Sequence, residues 1–132
     1  MFKHAYSLIR EFLDDEELQH FFVENTGKHL AVINAGAQVT SPTAKISLNS
    51  GEVSRKSNTN NDLVFSVSFA IPFFGSDAFE RCIDFVDFVA PICLDYKTKH
   101  TFIKYVTPSI IELDNENDFW VVVLNISIST LF

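Results

Sequence analysis

The four histidines are the first candidates for metal binding or acid–base chemistry. His4, His20, His29 and His100 are widely separated and form no H-x-x-x-H pair, and the sequence has no C-x-x-C pair. Zinc sites in proteins usually draw on such short spacings. The sequence therefore predicts neither a metal site nor a cofactor.

The candidate nucleophiles are Ser76 and Cys82. Ser76 follows Gly75, but residues 74–78 lack the second glycine of a nucleophile elbow. Cys82 falls on the apolar stripe of a predicted helix, whereas a reactive thiolate needs a nearby base and a lowered pKa. With four glycines in all, the chain also has no glycine-rich phosphate loop. We therefore predict that the chain is not an enzyme.

A run of four carboxylates, Asp14-Asp15-Glu16-Glu17, offers another source of acid–base groups. Consecutive helical residues point in different directions, however, so such neighbours do not form a catalytic pair. Carboxylates favour helix N-termini, so the run predicts the start of a second helix and otherwise a solvated surface.

The composition predicts one domain with an unusual aromatic load. A chain of 132 residues is long enough to build its own core without metals or disulfides. It has 14 phenylalanines against three tyrosines and one tryptophan. A core of this size does not hold so many large rings. We expect some of them on the surface, where clustered apolar side chains mark a partner interface.

The net charge of −7 and the pI near 4.9 argue against sequence-specific nucleic-acid binding, because the ten basic residues form no stripe. No signal peptide is visible, and the longest near-apolar run, residues 65–74, is too short to span a membrane. On one continuous helix, Cys82 and Cys93 would lie about 16 Å apart, beyond the reach of a disulfide. These features predict a cytoplasmic protein with free thiols.

Hydrophobic periodicity predicts an α+β fold with a mostly antiparallel sheet, flanked by an N-terminal helical segment and one central helix. Residues 2–24 have helical spacing that is interrupted at the acidic run and ends at Gly27. The central helix covers residues 77–90, with Asp77 and Glu80 as a capping box.

The predicted strands are residues 30–33, 44–48, 63–71, 101–106, 109–113 and 119–129. The last strand places Trp120, Val122, Leu124, Ile126 and Ile128 on one face, which ties the C-terminal part of the chain into the sheet. We expect a single domain over residues 1–132, with a mobile polar loop at about residues 49–62.

The central helix has more apolar surface than a single contact buries. Its predicted sheet-facing stripe consists of Phe79, Cys82, Ile83, Val86, Val89 and Ala90. Phe85 and Phe88 lie to one side of that stripe. They are covered either by the N-terminal helix or by another subunit, and the sequence leaves both alternatives open.

The order of elements resembles that of the tail-terminator and minor tail proteins of long-tailed bacteriophages and prophages. The segments that carry the resemblance are Ser54-Arg55-Lys56 through Ile71, Asp77 to Ala90, and Ile110 through Ile128. They cover most of the chain, but the likeness lies in architecture and size and not in a signature motif. No catalytic or binding residue is therefore carried over from the family.

The resemblance implies a hexameric ring that caps the tail tube, stops its polymerisation and meets the head-completion proteins. The inner wall of such a ring is acidic, which fits the net charge of −7. The protein would assemble in the cytoplasm of the bacterial host and end in the virion tail. We place the hypothetical subunit contacts at Phe85 and Phe88. Arg55 and Lys56 would bind an acidic surface of a neighbouring subunit.

Two alternatives from other classes stay open. The first is a cytoplasmic binding module of the immunity or adaptor type, whose acidic surface meets a basic partner. A stable heterodimer would favour it. The second is a small α+β enzyme with a pocket under the C-terminal sheet, which a saturable small ligand would favour.

Overall fold

The computed structural model describes residues 2–33, 42–51, 60–72, 76–112 and 120–131. These residues form three helices and five strands, an α+β fold as the sequence predicts. In chain order the elements are α1 (Phe2–Leu13), α2 (Glu16–Thr26), β1 (Ala31–Ile33), β2 (Thr43–Gly51), β3 (Asn60–Ile71), α3 (Ala78–Leu94), β4 (Thr101–Glu112) and β5 (Trp120–Leu131).

The five strands form one sheet in the order β1-β2-β3-β5-β4. β1 runs parallel to β2, and every other pair is antiparallel. β5 lies between β3 and β4 and pairs along its whole length, from Trp120 opposite Ile71 to Leu131 opposite Asn60. This confirms that the last strand ties the C-terminal part of the chain into the sheet.

Alternation along β3 and β5 determines which face of the sheet is buried. Phe65, Val67 and Phe69 are buried on one face of β3. Their register partners Ile126, Leu124 and Val122 are buried beside them on β5. Side chains on a strand point alternately to opposite faces, so the apolar residues of both strands form a single surface. The predicted faces of these two strands are confirmed.

The helices cover this apolar face. The ring of Phe22 on α2 stacks on Phe69 of β3 with centroids 6.3 Å apart. Phe85 of α3 meets the same Phe69 ring edge-on at 5.1 Å, while Phe79 of α3 lies 5.9 Å from Trp120 of β5. The core therefore sits between one layer of helices and one face of the sheet.

The break between α1 and α2 is fixed by Asp15, as the acidic run predicts. Asp15 Oδ1 accepts hydrogen bonds from the backbone amides of Glu17 and Leu18, at 2.9 and 3.1 Å. Its Oδ2 accepts a 2.6 Å hydrogen bond from the hydroxyl of Tyr96, which follows α3. Burial and the adjacent carboxylate raise the pKa of Tyr96, so its hydroxyl stays protonated and donates. Gly27 ends α2 in the left-handed conformation, with φ at 77°.

The central helix differs from its prediction in three respects. α3 continues through Pro91 to Leu94. Pro91 is exposed, so the carbonyl that its missing amide leaves unpaired, that of Asp87, can be solvated. The capping box is wrong, since the Asp77 side chain makes no capping hydrogen bond. The buried stripe consists of Ala78, Cys82, Phe85, Val89 and Cys93, so it runs through Phe85. The predicted stripe residues Phe79 and Ile83 are exposed, at 49% and 40%.

Two predicted strands are in fact one. β4 runs without interruption from Thr101 to Glu112 and contains Pro108. β4 is the last strand of the sheet order, so one of its edges is unpaired. An edge strand accommodates a proline such as Pro108, because the amide that proline lacks is not needed for pairing on that edge. The predicted loop at 49–62 is also too long, since β2 reaches Gly51 and β3 begins at Asn60. Residues 52–59 and 113–119 lie outside the described residues.

The cap at Asp15 gives a direct stability prediction. Asp15→Ala removes the capping acceptor and the partner of Tyr96, so we expect the free energy of unfolding to fall by about 2 kcal/mol in urea titrations. Asp15→Asn keeps an acceptor oxygen and should lose less than half of that. An Asp15→Ala variant as stable as the original chain would show that the cap and the Tyr96 bond contribute nothing net.

Candidate interaction surfaces

The neighbouring helices α2 and α3 leave a groove with an aromatic floor. The rings of Phe21 on α2 and Phe88 on α3 stack with centroids 5.0 Å apart and planes 21° from parallel. Above them lies an open volume of about 530 Å³. The groove is lined by Glu16, Glu17, His20, Phe21, Glu24 and Phe88. We call it the acidic groove.

Helical periodicity on α2 assembles the rim of this groove. Glu16, His20 and Glu24 recur at four-residue spacing, and Glu17 stands one turn before Phe21. Neighbouring Phe22 points the other way and is fully buried under the helices, so consecutive phenylalanines serve the groove and the core separately. His20 Nε2 lies 3.5 Å from Glu24 Oε2, and both side chains are more than 70% exposed.

A second, smaller hollow of about 200 Å³ shares Phe21 with the groove. Asn25 on α2 and Arg81 and Asp84 on α3 line it together with Phe21. The aromatic floor is therefore bordered by carboxylates along α2 and by groups of both signs toward the start of α3.

The hypothetical subunit contacts separate into three groups. Phe85 is fully buried inside the chain, with ring contacts to Phe21, Phe22 and Phe69 between 5.1 and 5.5 Å. Its assignment to a subunit seam is wrong, because α2 covers it. Phe88 is half-buried and forms part of the groove floor. Arg55 and Lys56 lie outside the described residues.

The second surface is the face of the sheet that points away from the helices. Three adjacent strands contribute side chains in direct register there, such as Ser66 opposite Asn125 and Asn125 opposite Thr107. The ring contacts between helices and sheet, at Phe69 and Trp120, lie on the opposite face. Ser66, Ser127 and Ser129 are nevertheless buried, at 7%, 3% and 2%, so the exposed part of this surface lies around them. We call it the uncharged sheet face: Val64, Ser66, Ser68, Tyr105, Thr107, Ser109, Val121, Val123, Asn125, Ser127 and Ser129.

A network of hydrogen bonds satisfies the polar groups at the centre of this face. Ser66 Oγ donates to Asn125 Oδ1 at 2.6 Å. Asn49 Nδ2, at the bulge of β2, donates to the same Asn125 Oδ1 at 3.1 Å and to Ser66 Oγ. The network crosses three strands. Among the described residues, no buried side-chain nitrogen or oxygen lacks a hydrogen-bond partner.

One ion pair marks the end of the uncharged sheet face. Lys104 Nζ lies 3.3 Å from Asp62 Oδ2, which links β4 to β3 across the intervening β5. Lys104 is the extra residue of a bulge between Ile103 and Tyr105, and the bulge turns its side chain onto this face. Tyr105 beside it is 56% exposed.

The two cysteine thiols lie in the core. Burial raises the pKa of the Cys82 thiol to about 11 and that of Cys93 to about 12, so neither is a thiolate near neutral pH. Both are free and buried on the continuous α3, as the sequence predicts.

Histidine, cysteine, aspartate and glutamate side chains form no metal-binding group of three within the described ranges. Over the same ranges, the helices lack the length and apolar character needed to cross a membrane.

Comparison with known proteins identifies no family for this chain. The sequence matches no protein-family model and no curated protein. Function is therefore argued from the two surfaces themselves.

Sequence reasoning recognised the parts of these surfaces but not their combination. The alternation of β3 and β5 placed Ser66, Ser68, Asn125 and Ser127 away from the core, which was the available signal for the uncharged sheet face. The sequence does not reveal the acidic groove, because the acidic run by itself predicts only a helix start and a solvated surface. Its floor requires Phe21 and Phe88 to meet across two helices, and no local pattern gives that distance.

The different roles of Phe85 and Phe88 are testable by stability. Phe85→Ala removes a fully buried ring from the core, and we expect a loss of about 3–5 kcal/mol in the free energy of unfolding. Phe88→Ala should cost less than half as much, because its ring is partly solvated. Equal losses in urea titrations would contradict the placement of Phe88 at the surface.

Proposed function

We propose that this chain is the subunit of a homo-oligomeric ring that caps the tail tube of a phage or prophage and joins it to the head side. The observation that carries the proposal is the uncharged sheet face. In a chain with 20% charged residues, β3, β5 and β4 carry none at the centre of this surface, and Lys45 of β2, opposite Ser68, lies at its border. A surface of this kind suits self-association.

The energetics of burial favour contact through this face. Polar groups cost free energy when they are buried without partners. Ser66, Asn125 and Asn49 are already hydrogen-bonded to one another. Covering them therefore leaves fewer donors and acceptors without partners. Val64, Val121 and Val123 supply apolar area around them. A partner that covers the face therefore gains apolar burial and desolvates no charge at its centre.

The edges of the sheet direct association toward the face. β4 is a 12-residue edge strand, yet it carries Pro108 and the bulge at Lys104. Both features hinder the addition of another strand. The opposite edge, β1, is three residues long. At the β4 edge, pairing with a further strand, which leads to open-ended fibres, is thus disfavoured.

The charge distribution fits a ring through which DNA passes. Most acidic residues lie on or beside the helices: Glu11, Asp14, Asp15, Glu16, Glu17, Glu24, Asp77, Glu80, Asp84, Asp87 and Asp95. The same segments hold three basic residues, Lys3, Arg10 and Arg81. If subunits meet through the sheet, the acidic helices remain exposed, and a lumen lined by them repels the DNA backbone.

The resemblance in element order supplies the rest of the proposal. It gives the subunit number as six and the neighbours as tail-tube and head-completion proteins. It also places assembly in the cytoplasm of the bacterial host and the finished ring in the virion tail. In this role the chain acts by binding and shape, and carries out no reaction.

A charge placed on the uncharged sheet face should abolish assembly. Val123→Lys puts an ammonium group at the centre of the proposed contact, where its desolvation is costly. We expect the concentration needed for assembly to rise at least about tenfold. Light scattering gives the mass of the particles, and negative-stain imaging shows whether they are closed rings.

The matched control is Val23→Lys. Val23 is an exposed valine on α2, at 37%, and the same change of side chain there should leave assembly intact. Thermal unfolding followed by circular dichroism must show both variants folded. Equal effects of the two variants on assembly, or a wild-type chain that stays monomeric at every concentration, would count against the proposal.

A further inference from the structure

We infer that the acidic groove between α2 and α3 binds a basic amphipathic helix of a second protein. The inference does not depend on ring formation, because the groove and the uncharged sheet face lie on opposite sides of the sheet. It rests on the floor, the rim and the dimensions of the groove.

The floor provides an apolar anchor point. Phe21 and Phe88 are half-buried, so their stacked rings remain partly open to solvent at the bottom of the groove. The rings rest on the buried core through Phe85, 5.3 Å from Phe21. A leucine or the aliphatic stem of an arginine placed on this rigid floor buries apolar surface at little entropic cost to the groove.

The rim selects for positive charge. Glu16, Glu17 and Glu24 line one wall of the groove and are all exposed. A guanidinium group pairs with a carboxylate through two parallel hydrogen bonds and also stacks on aromatic rings. The combination of a phenylalanine floor with a glutamate rim therefore fits arginine better than it fits a neutral or acidic side chain.

The dimensions favour a helix over a single side chain. From Glu16 to Glu24 the wall spans eight helical steps of about 1.5 Å each, about 12 Å or two helical turns. The volume of about 530 Å³ leaves room for several side chains. A third helix laid between two others, with anchors at three- and four-residue spacing, is a common mode of recognition.

The probe is a fluorescein-labelled synthetic helix about 15 residues long, near the length at which an isolated helix begins to form. It carries arginines on both sides of a single leucine stripe. A second peptide has glutamate in place of every arginine. Fluorescence anisotropy with the full chain should show saturable binding of the arginine peptide and at least about tenfold weaker binding of the glutamate peptide.

Charge-matched variants separate docking in the groove from general attraction to an acidic protein. Glu17→Gln with Glu24→Gln removes two charges from the rim, and we expect at least about tenfold weaker binding. Glu80→Gln with Asp87→Asn removes two charges from exposed positions on α3 that do not line the groove, and should weaken binding less than about twofold. Phe88→Leu tests the floor and should weaken binding several-fold while the chain stays folded.

Three outcomes would overturn the inference: no saturable binding of the arginine peptide, equal weakening by the two charge variants, or unchanged binding to Phe88→Leu. The rim variant should also be tested for self-association by light scattering. Assembly that persists in a rim variant with lost peptide binding shows two independent surfaces. Failure of assembly in the wild-type chain bears on the proposed ring and not on the groove.

Discussion

The structure depends on one cluster of three phenylalanine rings between its layers. Phe69 of β3 meets Phe22 of α2 and Phe85 of α3, and the two helical rings also meet each other at 5.5 Å. These rings are fully buried, so they connect the helices to one face of the sheet over a large apolar area. Because the helices pack on that face, the hydroxyls, amides and valines of β3 and β5 lie on the other side of the sheet. The position of the helices thus determines which surfaces remain for function.

The two surfaces differ because the helices carry most of the acidic residues while the sheet face carries hydroxyls, amides and valines. An acidic groove attracts a basic partner, and its contacts weaken with salt. An uncharged face that has already satisfied its polar groups favours contact with another uncharged surface, which in a ring is a different patch of the next subunit, because a face that meets only its own copy closes as a dimer. On our two proposals, a second copy of the chain would bind at the sheet face and a different protein at the acidic groove, without competition between them.

Much of this fold follows from periodicity, and the remainder depends on tertiary context. The alternation of β3 and β5 predicts their faces, and the acidic run with Gly27 predicts the limits of α2. α3 is apolar over more than half of its circumference, so its pattern does not single out Phe85 as the core position. From the sequence alone, Pro108 predicts a break between two strands, because the position of β4 at the edge of the sheet is a tertiary property. The groove is a relation between two helices, and the sequence gives neither their angle nor their separation.

The most direct test of the central claim is the molar mass of the wild-type chain by light scattering, across concentration and in low and high salt. Contact through the uncharged sheet face predicts a defined multiple of the 15.0 kDa subunit that persists or grows at about 1 M salt, where charges are screened within about 3 Å. A monomer under all conditions would contradict the account. An oligomer that dissociates in high salt would do so as well, because it would place the contact on the charged helices.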